Sequence, residues 1–320
     1  MPSGPRTRAE LRAMGWTDAQ VDEALRKGRL TSAHRGVLAA ANRLRNLSTR
    51  ADAAVRAVPG AVVGRRTAAA LWQLEGLPSE GSVDVSHLRP IDLWVPPGAS
   101  TRTRRGVAIQ ETRLGTDEVT TRAGIPVTVP SRTVVDLGRV LPLQVAVVIA
   151  DAALRQQLCS PDDLQAAVRR LDGHRGVCRA RDMVALARQG TRSCGESRGR
   201  LVIVFGGLPI PEVAIEIRDE DGYPLAEGDM GYRRWLIWIE YDGYDVHVQR
   251  GTFRADRPRQ RMVERRGWFV LRMTDWDVAH PSGFLADLAA AIADAPRRIA
   301  ALPADRSPEV AAARNALGLD

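Results

Sequence analysis

The feature that most constrains the fold is an apolar run, Leu-Ile-Trp-Ile at 236–239, that leads directly into Glu240 and Asp242. A continuous apolar run of this length is typical of a strand buried on both faces. Such a strand requires a sheet with other elements packed against each side. Acidic side chains at the end of a buried strand are candidates for a binding site, since sites in open sheets lie at strand ends.

Four carboxylates lie on two predicted strands joined by a hairpin at 232–235. Because side chains alternate along a strand, Glu227 and Asp229 share one side, and Glu240 and Asp242 do the same. The hairpin places Asp229 within about one residue pair of Glu240. Carboxylates so near one another need a cation between them, and a set of oxygen ligands favours Mg²⁺, Mn²⁺ or Ca²⁺ over Zn²⁺. We expect a metal site suited to phosphodiester hydrolysis; the alternative is a set of solvated strand ends.

The order of residues over 193–280 resembles the Vsr-like branch of the PD-(D/E)XK endonucleases. The matching residues are Glu196, Asp229, Ile-Glu-Tyr-Asp-Gly at 239–243, His247, Asp256-Arg257 to Arg261 and Gly-Trp-Phe-Val-Leu-Arg at 267–272. The resemblance implies a restriction-endonuclease-like α/β sandwich. It also implies Mg²⁺ (or Mn²⁺) as the cofactor, held by Asp229, Glu240 and the carbonyl of Tyr241.

The same resemblance assigns roles to the remaining polar residues. Glu196 is the acid carried by a helix, and His247 is a base or a phosphate contact. Arg257 and Arg261, one helical turn apart, bind the scissile phosphate. Asp242 stands where the motif has lysine, and Lys27 is the only lysine in the chain. Either an arginine or a histidine replaces that lysine, or the site binds DNA and metal without efficient cleavage.

The first 48 residues predict a winged helix-turn-helix. Thr7 with Glu10 and Thr17 with Gln20 are capping boxes that open two short helices, and a small hairpin follows. The candidate DNA contacts are Gln20, Arg26 and Lys27 on the second helix and His34 and Arg35 in the wing. Three acids on the second helix, Asp18, Asp22 and Glu23, oppose phosphate binding, so a protein-interaction module is the alternative.

Several runs over 5–187 resemble the AbiEi-type antitoxins. They are Leu-Arg-Ala-Met-Gly-Trp-Thr at 11–17, His-Arg-Gly-Val at 34–37, Arg-Arg-Thr-Ala-Ala-Ala-Leu at 65–71 and the segment 125–137. The resemblance implies a repressor-like DNA-binding module and, in some systems, a cognate toxin as partner. Within it, Ser131 to Thr133 with Asp136 is predicted to form a helix cap and not a catalytic group.

Charge and composition narrow the partners. A formal net charge of +8 and a pI near 10.3 favour an anionic partner, nucleic acid first. Three cysteines without a CxxC pair argue against a zinc knuckle or a disulfide framework. The absence of a long apolar segment or an N-terminal leader predicts a cytoplasmic protein without a membrane partner. The sequence carries no signal for an oligomeric state.

The expected fold class is α+β, with four regions. They are a winged helix-turn-helix (1–48), a mixed α/β middle domain (49–188), a nuclease-like sandwich (193–295) and a helical tail (296–320). Three functions remain open: a metal-dependent DNA endonuclease, an antitoxin-like transcriptional regulator with a degenerate nuclease domain, and an interaction component of a repair or defence system. The retained Glu196, Asp229 and Glu240 favour the endonuclease, whereas the missing lysine and the acidic second helix favour the other two.

Overall fold

The computed structural model describes residues 2–77, 90–99, 105–219, 221–243 and 252–319, with side chains of 252–257 left undescribed. It divides into two compact units, Met1–Leu186 and Ala187–Asp320. Helices and mixed sheets occur in both units, which confirms the expected α+β class. Among the described residues no helix has the length and apolar character needed to cross a membrane.

The first unit begins with a winged helix. Its elements are α1 (Arg8–Ala13), α2 (Asp18–Arg26), β1 (Leu30–His34), β2 (Val37–Ala40) and α3 (Leu47–Ala57). Both predicted capping boxes are confirmed, because Thr7 and Thr17 each accept the amide of the residue three positions later. Gly28, with φ of 65°, ends α2 before β1 and β2 form an antiparallel hairpin.

The rest of the first unit is a five-stranded mixed sheet covered by helices. The strands are β3 (Val62–Val63), β4 (Ile91–Val95), β5 (Val107–Glu111), β6 (Val119–Arg122) and β7 (Ile125–Thr128), in the order β5-β4-β3-β7-β6. The helices are α4 (Arg65–Leu71), α5 (Pro130–Gly138), α6 (Leu143–Arg155), α7 (Pro161–Arg170) and α8 (Val177–Leu186). α6 is buried along most of its length and is therefore a core helix of this unit.

The helix cap predicted at the start of α5 is wrong. The helix begins at Pro130 after Val129, and no side chain caps it. Arg132 instead forms a buried ion pair with Glu118 (2.8 Å) and another with Asp136 (2.9 Å). A buried guanidinium needs such partners, and Glu118 comes from a segment outside the helix that short-range spacing does not reveal.

The second unit is a four-stranded mixed sheet between helices. Its elements are α9 (Cys194–Phe205), β8 (Glu212–Arg218), β9 (Pro224–Tyr232), β10 (Ile237–Asp242), α10 (Thr252–Arg265), β11 (Phe269–Thr274), α11 (Asp275–Ala279), α12 (Ser282–Ala300) and α13 (Pro308–Leu317). The sheet order is β11-β10-β9-β8, with β10 and β11 parallel. Trp238 on the central strand β10 is fully buried, as the apolar run predicts.

The end of the chain is part of this unit's core. Helix α12 runs through the expected division at 295/296 without a break. Ile299, Val310 and Ala313 pack in one apolar cluster with Trp238 and Trp268. The residues of 296–319 therefore cover one face of the sheet and are not a separate tail, because that face would otherwise expose its apolar side chains.

Candidate functional site

Helix α9 approaches the sheet closely because glycines face the Tyr241 ring. A Cβ on Gly195 would lie 2.9 Å from Tyr241 Cζ, and one on Gly199 would lie 2.6 Å from the sulfur of Met273. Only glycine allows this separation between helix and strand. The Tyr241 hydroxyl donates to Asp275 at 2.5 Å, which fixes the ring against the helix.

Glu196 is buried at the first turn of α9. Its carboxylate accepts the Arg192 amide (2.7 Å) and the Ser193 hydroxyl (3.0 Å), and Ser193 caps the helix. Burial raises the pKa of Glu196 above its ordinary value, and the negative charge of Asp229 raises it further. The hydrogen bonds from Arg192 and Ser193 oppose that rise. Glu196 and Asp229 therefore lie close enough for their charges to interact, and Arg192 contacts both of them.

Asp229 is held by two donors. One carboxylate oxygen accepts the amide of Tyr241 at 2.7 Å, and the other accepts the guanidinium of Arg192. Arg192 also forms an ion pair with Glu227 at 3.4 Å. The arginine therefore supplies the positive charge that these two carboxylates require.

Glu240 is paired with arginines from other elements of the same unit. Arg259 of α10 lies 2.6 Å from Glu240, and Arg272 of β11 lies 3.3 Å from it. Arg272 also pairs with Asp242 at 2.9 Å, so Glu240 and Asp242 share a side of the sheet as predicted. The Trp238 indole donates to Glu240 at 3.1 Å, which places this side chain on the face opposite Tyr241 and α9.

The expected metal ligands do not converge in this arrangement. In the part of the chain that the structure describes, no three His, Cys, Asp or Glu side chains form a group able to hold a metal ion. Asp229 is bound by Arg192, and Glu240 is bound by Arg259 and Arg272 on the far side of the strand. As these residues lie, the set does not fit Mg²⁺, because arginines already satisfy the oxygens that the ion would need.

Three other predicted residues are placed only in part. His247 lies outside the described residues, and so does the side chain of Arg257, although α10 includes its backbone. Arg261 follows one turn later on the same helix and is exposed. The helix-borne pair that the resemblance implies therefore stays a prediction.

The acidic side chains of the winged helix are all neutralised within it. Residues 1–58 contain 11 Lys and Arg and 5 Asp and Glu. The ion pairs are Asp18 with Arg12 and Arg8, Asp22 with Arg8, Glu23 with Lys27, and Glu10 and Asp52 with Arg56. The acids of α2 thus face neighbouring cations and are not left as free negative charges, which weakens the argument against phosphate binding.

Several of the remaining arginines of the winged helix are exposed. Arg26, Arg29, Arg35 and Arg45 are exposed and form no ion pair with any described residue of the winged helix. Arg26 and Arg29 flank the turn after α2, and Arg35 lies in the turn of the hairpin. Of the other predicted contacts, Lys27 pairs with Glu23, the Gln20 side-chain oxygen caps α2, and His34 is half-buried on β1.

Sequence patterns did not reveal the arginines that hold the acids. Arg192 precedes its partner Asp229 by 37 residues, and Arg259 follows its partner Glu240 by 19 residues. Local spacing therefore carries no signal for either ion pair. The contact of Arg272 with Glu240 does follow from the strand register, because the parallel strands β10 and β11 place the two residues side by side. Arg29 at the base of the wing was also not predicted as a DNA contact, although its exposure follows from the turn at Gly28.

Comparisons with known proteins give one matching family within the first unit and two similar sequences that cover more of the chain. Residues 61–186 match the family described as the AbiEi antitoxin C-terminal domain, which confirms that part of the predicted AbiEi-type resemblance. Two proteins of Mycobacterium tuberculosis are each 29% identical over 220 residues, covering 69% of this chain and 76% of theirs. They are Uncharacterized protein MT2308 of strain CDC 1551 / Oshkosh and Uncharacterized protein Rv2248 of strain ATCC 25618 / H37Rv.

One solved structure is also similar. The RV2827C protein of Mycobacterium tuberculosis has a TM-score of 0.35 and 18% identity, over 59% of this chain and 78% of that chain. The Vsr-like resemblance over 193–280 stays a prediction.

Proposed function

We propose that this chain is a DNA-binding, antitoxin-like regulator whose winged helix contacts the DNA backbone. The observation that carries the proposal is the charge arrangement of residues 1–58, in which each acid is paired and Arg26, Arg29 and Arg35 are exposed without a carboxylate partner. The match of residues 61–186 to the AbiEi antitoxin C-terminal domain supports it and makes a cognate toxin the expected protein partner.

The placement of these arginines favours phosphate contacts over base contacts. Recognition helices read bases mainly with their first residues, and in α2 these positions hold Asp18 and the capping residue Gln20. The exposed arginines lie at the end of α2 and in the wing, where a winged helix meets the DNA backbone. We therefore expect strong salt dependence and modest sequence preference from this unit.

The test is duplex binding at several salt concentrations. Each phosphate contact contributes about −0.9 to the slope of log K against log salt, so changing Arg26, Arg29 and Arg35 to alanine should flatten the slope by roughly two to three. Arg297→Ala, at an exposed arginine of the second unit, is the matched control and should leave the slope unchanged. A flat slope for the parent protein would favour a protein-binding module instead.

A second candidate is a metal-dependent DNA endonuclease in the second unit. Its support is the proximity of Glu196 and Asp229, together with the raised pKa of Glu196, since perturbed acids gather at functional sites. For a divalent metal ion to bind, Arg192 would have to release Asp229. Glu240 would also have to separate from Arg259 and Arg272. In this case Asp229→Ala and Glu240→Ala abolish cleavage with Mg²⁺ or Mn²⁺ while DNA affinity is retained. Cleavage by both variants at the parental rate would exclude this site.

A further inference from the structure

We infer that Arg192 is the resident cation of an acidic cluster in the second unit and excludes divalent metal from it. The cluster consists of Glu196, Glu227 and Asp229, all of which Arg192 contacts. The Vsr-like resemblance implies a metal ion at Asp229, whereas the structure places a guanidinium there. This role of Arg192 is independent of the DNA-binding surface proposed for residues 1–58.

Arg192 contacts the three acids through different donors. Its guanidinium donates to Asp229 and forms an ion pair with Glu227 at 3.4 Å. Its backbone amide donates to Glu196 at 2.7 Å, and the negative charge of Glu196 also acts on the guanidinium. No other cationic side chain in the described part of the chain forms an ion pair with Glu227 or Asp229. Arg192 therefore supplies the positive charge of the cluster.

The backbone on each side of Arg192 is anchored to α9. Ser193 caps the helix, and Ser197 of the same helix donates to the buried hydroxyl of Thr191 at 3.2 Å. The guanidinium is thus attached to a fixed backbone beside the acids, whereas a metal ion must be bound from solution at an entropic cost. An arginine also stays charged throughout the physiological pH range, so the cluster keeps its cation.

The guanidinium and a metal ion compete for the same oxygens. One oxygen of Asp229 accepts Arg192, and the other accepts the amide of Tyr241 at 2.7 Å. Mg²⁺ needs ligand oxygens at about 2.0–2.1 Å in a nearly octahedral set, which a guanidinium at hydrogen-bonding distance obstructs. The positive charge of Arg192 also repels a divalent cation. Metal binding therefore requires this side chain to leave, and its removal by mutation should open the cluster to metal.

The experiment measures Mn²⁺ binding to the full chain from the electron paramagnetic resonance signal of the free ion. The parent is compared with Arg192→Ala, which removes the guanidinium and keeps the backbone amide that donates to Glu196. We expect Arg192→Ala to bind Mn²⁺ about tenfold or more tightly than the parent, because a hydrogen bond to a charged group no longer has to be broken. Equal Mn²⁺ binding by the two proteins would overturn the inference.

Thermal unfolding provides a second measurement. Without Arg192 the three carboxylates repel one another, so Arg192→Ala should have a lower Tm than the parent in the absence of metal. Mn²⁺ that binds only the folded protein should raise this Tm with saturation. Arg192→Lys keeps the positive charge and should show neither the loss nor the rescue. A Tm of Arg192→Ala that Mn²⁺ leaves unchanged would contradict the role of Arg192.

Two further variants assign the bound ion to this cluster. Adding Asp229→Asn to Arg192→Ala should abolish the gain in Mn²⁺ binding, because it removes one of the acids that hold the ion. Arg233→Ala is the matched control, since Arg233 is 49% exposed, against 48% for Arg192, but pairs with the single carboxylate of Glu212. This control should bind no more Mn²⁺ than the parent. A gain in Arg233→Ala as large as in Arg192→Ala, or Mn²⁺ binding by the parent that Asp229→Asn removes, would refute the assignment.

Discussion

Replacing Gly195 with alanine tests whether close packing of α9 places Glu196 beside Asp229. Gly195 is the second residue of α9, and a Cβ there would lie 2.9 Å from Tyr241 Cζ and 3.1 Å from its hydroxyl oxygen. The ring is rigid and its hydroxyl is hydrogen-bonded to Asp275, so the helix or the ring must move. Movement of either would weaken the Tyr241–Asp275 bond.

The expected cost follows from three effects. Overpacking a fitted contact costs about 1–3 kcal/mol, and a weakened hydrogen bond to a carboxylate adds roughly 1 kcal/mol. Alanine is about 0.5–1 kcal/mol more favourable than glycine within a helix, which offsets part of that cost. We expect the free energy of unfolding to fall by about 2 kcal/mol, read from the urea midpoint of the second unit.

Gly283 provides the control for this substitution. It is also the second residue of its helix, α12, but a Cβ there meets nothing within 4 Å. Gly283→Ala should therefore raise stability by about 0.5–1 kcal/mol from helix propensity alone. If Gly195→Ala stabilises the protein as Gly283→Ala does, then α9 and Tyr241 are not packed as closely as the structure shows, and the prediction is refuted.

Two further predictions concern buried charge. Arg132→Met should lower the free energy of unfolding by about 3–5 kcal/mol in urea titrations, because it leaves Glu118 buried without a guanidinium and Asp136 with Arg139 alone; a loss below 1 kcal/mol would contradict this ion-pair network. For Glu196→Gln, the raised pKa of the folded carboxyl means that its contribution to stability is full at low pH and is lost as the pH rises through that pKa. The variant should gain Tm relative to the parent from pH 4 to pH 8, and a difference independent of pH would contradict the assigned shift.

Local patterns predicted the elements that depend on local chemistry. The starts of α1 and α2 were predicted from two capping boxes, Thr7 with Glu10 and Thr17 with Gln20. This was possible because both partners of a capping box lie within one helical turn. The unbroken apolar run at 236–239 likewise predicted a central strand, since a strand covered on both faces buries every side chain.

Long-range ion pairs were not predictable in the same way. Spacing predicted that the acids of β9 and β10 lie near one another but did not reveal that Arg192, just before α9, neutralises Asp229. At the start of α5, Ser131 and Asp136 have the spacing of a local polar motif, yet Glu118 from another segment determines what Arg132 contacts. Such partners depend on how elements pack, which residue spacing alone does not encode.

An assay that follows DNA binding and strand cleavage together distinguishes the regulator from the endonuclease most directly. Supercoiled plasmid and short duplex are incubated with the full chain in Mg²⁺ or Mn²⁺, beside Asp229→Ala. Because arginines hold Asp229 and Glu240, we expect salt-sensitive binding and no nicking by either protein. Metal-dependent nicking by the parent that is lost in Asp229→Ala would contradict the regulator and establish the endonuclease.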